Sequence, residues 1–558
     1  MEASPANVIQ YFNGEKQNII PLFQRRYSWN KQNWQALWDD MLVQYDAEDR
    51  TSHFMGAIVS VPARSVPVGV NKYLIIDGQQ RLTTVSLLLA ALRDSVDENS
   101  AARIQEVYLT NRFRGPDDTL KFVPTQADRD CYTSLILQRE NPSDGSLMSD
   151  AYKFFRDKLA KGVDLNGDPI DCAKVLETVE HALQVVMINL GDADDPYLIF
   201  ESLNFKGQPL TQADLVRNYI LMRFRHSISP NGEQERIYKK YWAPMEEQLG
   251  GGLTEFLRHY AMKDGENVYQ TGIYAATKSR LRNLSGPESV EAEVARMHEF
   301  SSMYSTILNP EGEQSAAVRK RLENIKNLDV GTSYPLLLRL LDARRVGAIS
   351  DDELDKCLSL IEAFIIRRSI CQVPTNALNK LFLSWAKQFP TENYVAWLHS
   401  AMSAGQGGRR FPSDADFRNS FVNDKQYGRG STHFVLIQLE RFSGHREPAD
   451  LEHATIEHIM PQTLSERWQQ DLGPTATEVH QRLLHTFGNL TLTGYNAELS
   501  NLSFQEKKVK LEKTHIELNR GLLNLEKWGE AEIQARADEM FEVAARLWPG
   551  PLASQTRG

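Results

Sequence analysis

Apolar residues along the chain recur at two spacings, and the changes from one to the other mark its elements. In KQNWQALWDDMLVQY, residues 31–45, Trp34, Leu37, Trp38 and Met41 stand three and four apart, the period of one helix face, so the two tryptophans read as core. HFMGAIVSV at 53–61 has no such gaps and predicts a strand. Tyr73–Ile76 is a second β-type run; Gly78 permits a tight turn, and from Arg81 to Arg93 the residues Leu82, Val85, Leu88 and Leu89 return to helical spacing. Residues 73–93 therefore predict strand, turn and helix in succession. Between 100 and 190 the pattern is mostly helical and ends in VVMINL, a strand expected to return to the first sheet. DDPYLIFESLNFKGQPLTQADLVRNYILMRF then predicts a helix, a turn at Gly207 and a second helix opened by Thr211, with Asp214 three residues on as in a capping box. From about 235 to 400 the pattern is almost purely helical, and AGQGGRRFPSD at 404–414 has the composition of a flexible loop and is the best boundary before the C-terminal unit. The expected fold is α+β and predominantly helical: an α/β region at 1–235, an all-α connecting region at 236–425 and a C-terminal unit at 426–558.

Composition narrows the class. A chain of 558 residues exceeds one hydrophobic core. With 41% hydrophobic and 24% charged residues it folds rather than staying disordered. No stretch of 18 uncharged apolar residues occurs, and MEASPANVIQYF lacks the basic and apolar regions of a signal peptide, so the expectation is a cytoplasmic protein without a membrane partner. The net charge of −10 provides no global attraction for nucleic acid, which would have to meet a local basic groove. Cys131, Cys172, Cys357 and Cys371 are far apart with no C-x-x-C pair, which speaks against a zinc ribbon or a disulfide framework.

Two clusters carry chemistry. A strand that turns through glycine into a helix presents free N–H groups and the positive end of the helix dipole, a setting for phosphate. In IIDGQQRLTT that turn carries Asp77, Gln79, Gln80, Arg81 and Thr83. Arg81 and the amides would meet phosphate oxygens, with Asp77 on a magnesium ion or a water; alternatively Asp77 and Arg81 pair with each other and merely close the turn. No G-x-x-x-x-G-K-[ST] motif is present, so this is not an ordinary P-loop. FQRRYSW at 23–29 sets two arginines among aromatics, suited either to phosphate and base or to a solvated pair beside the core.

The second cluster is LEHATIEHIMPQ at 451–462 with LLHTFGNLTLTGYNAELSN at 483–501. It reads as two short β segments and a helix bearing Glu457, His458, Asn489 and Asn496, the ββα-metal arrangement of HNH nucleases. Glu457 and His458 are adjacent, so they face opposite sides unless the strand ends there. His458 suits a general base, its imidazole pKa lying near 6.5. Glu457 and Asn496 supply oxygens for one divalent ion, Mg²⁺ or Mn²⁺, and Asn489 either fixes His458 or pins the loop between the strands. His453 and His485 either line the cleft or serve structure. Arg367 and Arg368 sit at the end of a buried helix, and KKVKLEK at 507–513 is a solvated face or a phosphate contact.

PLFQRRYSW, HFMGAIV, IIDGQQRLTT and IFESLNFKGQPLTQADLVRNY, in that order over residues 20–220, resemble the ParB/sulfiredoxin-like N-terminal domain of the GmrSD class of modification-dependent (type IV) restriction enzymes. EHIMPQ…HTFGNLTLTGYNAELSN resembles the HNH domain that follows it in that class, over roughly 430–550. The resemblance implies an N-terminal domain that binds and hydrolyses a nucleoside triphosphate (GTP, ATP or CTP), with Gln24, Arg25, Tyr27, Asp77, Gly78, Gln79, Gln80, Arg81 and Thr83 as its site. The doubled arginine leaves Arg25 against Arg26 open. It also implies metal-dependent cleavage of double-stranded, modified phage DNA; a phosphorothioate-sensing nicking enzyme and a non-cleaving ParB-like clamp are the alternatives. A nucleotide site so far in sequence from the nuclease residues is expected to act as a switch, with a homodimer as the resting state.

Overall fold

The computed structural model describes residues 2–21, 24–47, 52–62, 69–112, 114–139, 145–191, 211–224, 232–444, 449–494 and 496–552. Two compact units result, Met1–Glu247 with Gln270–Arg296, and Gln248–Tyr269 with Met297–Gly558. The helical region expected at 236–425 is thus divided between the two units rather than standing as a third.

The first unit is built on a six-stranded mixed sheet of β1 (Glu2–Asn7), β2 (Lys16–Ile19), β3 (His53–Pro62), β4 (Asn71–Asp77), β5 (Phe122–Val123) and β6 (Leu183–Asn189), in the order β1-β6-β3-β4-β2-β5. The run at 185–190 does return to the sheet: β6 lies parallel to β3 and antiparallel to β1. β1 has no apolar signal, four exposed positions and a proline, and it is a strand because β6 offers an edge where Pro5 faces Val186 and a missing N–H is tolerated.

Helix α1 (Lys31–Tyr45) is capped by Asn30 and buries Trp34, Leu37, Trp38 and Met41 as the spacing predicts. Helix α2 (Gln79–Arg93) starts two residues earlier than expected, because Gly78, at φ +92°, turns the chain straight out of β4. Every α2 residue except Arg81 is buried. Thr83 and Thr84 can be, because their hydroxyls donate to the carbonyls of Gln79 and Gln80, both at 2.8 Å. Helix α3 (Gln212–Met222) opens with the Thr211–Asp214 capping box read from the sequence. The helix and the Gly207 turn expected before it lie outside the described residues.

Among its described residues the second unit is helical apart from one two-stranded ribbon, β7 (Thr455–His458) against β8 (Leu490–Thr493). Helix α4 (Asp351–Ile370) ends in the fully buried Arg367 and Arg368. Their carbonyl partners belong to other segments, not to the helix end. Arg367 donates to Trp548 O (2.8 Å) and Pro412 O (3.2 Å) and pairs with Asp414 (2.6 Å); Arg368 reaches Pro374 O (2.8 Å), Arg410 O (2.9 Å) and Gly408 O (3.0 Å). The segment at 404–414 is therefore bolted to α4, and the chain on both sides of it belongs to one unit. Around the ribbon, Ile459, Met460, Trp468, Phe504, Leu511 and Trp528 form a core with α5 (Asn496–Leu499), α6 (Phe504–Leu511) and α7 (Glu530–Leu547). All four cysteines are free thiols. No described helix is long and apolar enough to cross a membrane.

Candidate functional site

In the first unit the separated motifs meet at the turn between β4 and α2. Arg81, the one α2 residue left outside the core, extends its guanidinium to Ala57 O (2.6 Å) and lies 3.8 Å from the Asp77 carboxylate. Gly56 makes room for it: a Cβ there would stand 2.7 Å from Arg81 Nη1, and the residue sits at φ +101°. Gly78 is likewise pressed on Ile58, whose Cγ1 would lie 2.8 Å from an added Cβ. HFMGAIV and IIDGQQR are thus complementary surfaces of one structure. Gln24 Nε2 straps the FQRRYSW segment to Ile76 O (2.8 Å), while Gln80 accepts from Ser28 N (2.9 Å) and donates to Arg26 O (3.2 Å). Arg25 is half-buried and Arg26 exposed. Burial lowers the Arg25 pKa, opposed by the carboxylates of Asp214 and Asp77, so Arg25 is the arginine that shares the field of the turn and α3 supplies a further acid to it.

These partners sort the nine candidates. Arg25, Asp77 and Arg81 keep charge at the turn, and Gly78, which has no side chain to cap α2, leaves its first amides open. Gln24, Gln80 and Thr83 have side chains committed to the scaffold. Tyr27, carried over as a nucleotide contact, is corrected: its ring is buried, and its hydroxyl is held by Thr84 (2.7 Å) and Trp34 (2.8 Å), so no face is left for a base. Gln79 is buried.

In the second unit Glu457, His458 and Asn496 line one pocket of about 360 Å³ together with Gln462, Ser500 and Asn501. Adjacent strand residues share a pocket here because β7 stops at His458. The buried Asn489 makes it stop: its backbone carbonyl accepts from Ile459 N (3.0 Å), its Oδ1 from Met460 N (2.7 Å) and Trp528 Nε1 (3.0 Å), and its Nδ2 donates to Met460 O and Leu484 O, both at 2.9 Å. Asn489's bonds hold that loop and tie it to Trp528, and none reaches the His458 ring; the ring nitrogen of His458 instead meets His485, Nε2 to Nδ1 at 3.1 Å. Tyr427 completes the group, stacked on His485 and edge-on to His458. His453 is exposed.

Lys507, read as part of a solvated or phosphate-facing basic run, is corrected. Its side chain is 1% exposed and its ammonium donates to Glu457 Oε1 (2.5 Å) and His458 O (2.7 Å). The signal was present: Phe504, Lys507 and Leu511 fall at i, i+3 and i+7, so the lysine stands on the apolar stripe of α6 and needs an acid inside. Burial pushes Glu457 up and Lys507 down, each opposed by the other's charge. Burial, reinforced by His485, Lys507 and His480, pushes His458 down to about 4, which keeps its imidazole neutral at cellular pH.

The donor set suits a hard cation. Asn496 Nδ2 donates to Ile456 O (3.1 Å), which leaves its Oδ1 as acceptor, and the Glu457 carboxylate is shared between the Lys507 ammonium and the backbone amide of His458. Among the described residues no three His, Cys, Asp or Glu side chains converge as metal ligands.

Residues 8–221 match the family model of the GmrSD restriction endonuclease N-terminal domain, and residues 411–543 that of the GmrSD restriction endonuclease C-terminal domain. The two matches cover more than half of the chain, which belongs to the GmrSD restriction endonucleases. No match is found among curated proteins.

Proposed function

We propose that this restriction endonuclease is an HNH-type, metal-dependent nuclease that cuts modified double-stranded phage DNA under control of a nucleoside triphosphate bound in its first unit. The observation that carries the nuclease half is the convergence of Glu457, His458 and Asn496 on one pocket beside a ββα ribbon. His458, neutral and buried, takes a proton from water as the water oxygen bonds to phosphorus; the P–O3′ bond breaks, and the leaving oxygen keeps the electron pair and takes a proton from solvent. Lys507 holds Glu457 in place, and Asn489 holds the loop that ends β7. A Mg²⁺ or Mn²⁺ ion carried by side-chain oxygens of Glu457 and Asn496 would neutralise charge on the scissile phosphate.

Support for the regulatory half comes from the charges of Arg25, Asp77 and Arg81 gathered at the uncapped start of a buried 15-residue helix, a setting that favours a phosphate chain and its cation. GTP, ATP and CTP are the candidates. Phosphodiester hydrolysis is already downhill, so nucleotide acts as a switch through differential affinity for two conformations or association states, with a homodimer as the resting form. The test is cleavage of matched DNAs carrying plain, hydroxymethylated or glucosylated cytosine, or phosphorothioate, each with and without Mg²⁺ and each NTP, alongside sedimentation of the protein with and without nucleotide. Metal-dependent cutting confined to a modified substrate and responsive to NTP is expected. Cutting of every substrate regardless of nucleotide, with unchanged sedimentation, leaves the regulatory half without support.

A further inference from the structure

We infer that His485 is a positioning residue that fixes the tautomer of His458, an inference that rests on the endonuclease reading above. Two neutral imidazoles whose nitrogens stand 3.1 Å apart share one proton, so one ring donates and the other accepts. If His485 donates, His458 must carry its own proton on Nδ1, and neither of its nitrogens has a lone pair to offer water. If His485 accepts, the proton of His458 sits on Nε2 and the Nδ1 lone pair is free. Only the second arrangement makes a base. The partner of a histidine's remote nitrogen selects its working tautomer in this way wherever imidazole acts as base or ligand.

The surroundings keep the two rings in this relation. Tyr427 stacks on His485 with centroids 5.4 Å apart and planes 10° from parallel, and meets His458 edge-on at 4.4 Å. The backbone closes the same group, since Gln426 N and Tyr427 N both donate to His485 O, at 2.8 and 3.2 Å. His458 is anchored from the other side by Lys507, whose ammonium holds its carbonyl. Rotating the His458 ring away therefore breaks the bond to His485 and the contact with Tyr427 together. His485 itself is only half-buried, so its ring stands at the edge of the pocket beside His458 rather than inside the core. When Nδ1 takes the water proton, the Nε2–H remains bonded to His485, whose lone pair faces the charge formed on His458.

Three full-length variants and one spectrum test this, using a modified DNA that the wild-type chain cuts. His485→Phe keeps an aromatic face against Tyr427 but offers no acceptor; kcat should fall about 10–100-fold, the range for losing such an orienting bond, with DNA affinity and KM unchanged. His485→Gln, whose amide oxygen can accept the Nε2–H, should recover several-fold over Phe at equal thermal stability, a rescue that a packing role does not produce. Wild-type turnover in His485→Phe, or a glutamine variant no better than phenylalanine, overturns the inference. Should both variants misfold, ¹⁵N-histidine spectra of the wild-type chain decide: the Nε2–H tautomer at His458 is expected, and the Nδ1–H tautomer overturns the assignment. His458→Ala separates the two levels of the argument. Full cleavage by that variant removes the endonuclease reading at His458 itself, whereas a dead His458→Ala beside a fully active His485→Phe removes only the role of His485.

Discussion

The turn around Asp77 and the pocket around His458 both gather acids and bases on short β structure, yet they are built to different tolerances. At the turn, Asp77 and Arg81 stand 3.8 Å apart with side chains 31% and 24% exposed, a loose pair in contact with water. In the pocket, Glu457 and Lys507 are 2.5 Å apart and 8% and 1% exposed, and the Asn489 carboxamide is fully engaged by the adjoining loop and Trp528. On the proposed reading, a centre that holds a base and metal oxygens in register gains from being locked before substrate arrives. A site that reports on a ligand gains from charges the ligand itself completes, because the free-energy difference between empty and filled states is the signal.

The widest separation between the two regions should come from His458→Ala. Plasmid or phage-DNA cutting is expected to fall by about 10²–10⁴, the range for loss of a general base, while NTP hydrolysis at the turn continues. Lys507→Met comes next, because it leaves Glu457 buried without its cation; breaking such a pair costs about 3–5 kcal/mol, read as an early unfolding transition of the second unit in urea. Adding Glu457→Gln to that variant should restore most of the stability, though not cleavage. An unaltered transition in Lys507→Met contradicts the locked picture.

A smaller effect concerns His259, buried in the second unit with Nδ1 3.0 Å from the Tyr304 hydroxyl. Burial, aided by Arg258, pushes it from 6.5 down to about 4. The folded state keeps this ring neutral while the unfolded state takes a proton near 6.5, so stability is intact above that pH and is lost as pH falls from 6.5 toward 4, by about 3 kcal/mol. In His259→Gln, urea unfolding at pH 7 and pH 4.5 should show a shallower acid loss; an equal loss in both proteins rules His259 out as its source. The smallest structural effect is expected of Asp77→Ala. Its half-exposed ion pair contributes at most about 1 kcal/mol, so melting should barely move, yet NTP turnover should vanish and basal metal-dependent nicking survive without its nucleotide response. Unchanged NTP turnover reduces the turn to a structural role.

Much of the molecule was legible because periodicity and turn chemistry are local. The β4–α2 junction, the face of α1, the Thr211 cap and the order of the ribbon strands all follow from spacing, glycine and capping residues within a few positions of one another. β1 was not legible, since its only reason to be extended is the edge of β6, some 180 positions away. The 404–414 segment reads as a loop by composition and is irregular apart from a 3-10 turn at Gly407–Arg409 and the helix that begins at Asp414, but its attachment to Arg367 and Arg368 is invisible until the helix carrying them is placed.

Of the two clusters, the sequence by itself determined the inventory: an acid, an amide pair and an arginine at a βα turn, and Glu457, His458, Asn489 and Asn496 on a ribbon. Tertiary structure decided what each side chain is free to do. Tyr27 loses its candidacy to the hydroxyl of Thr84 and the indole of Trp34; Lys507 enters the site through the apolar stripe of α6; His485 becomes the neighbour of His458 across 27 positions. A side chain's chemistry is intrinsic to its residue type, whereas its availability is set by the donors, acceptors and apolar surfaces that folding brings from distant parts of the chain, and only contact between those parts removes one candidate and admits another.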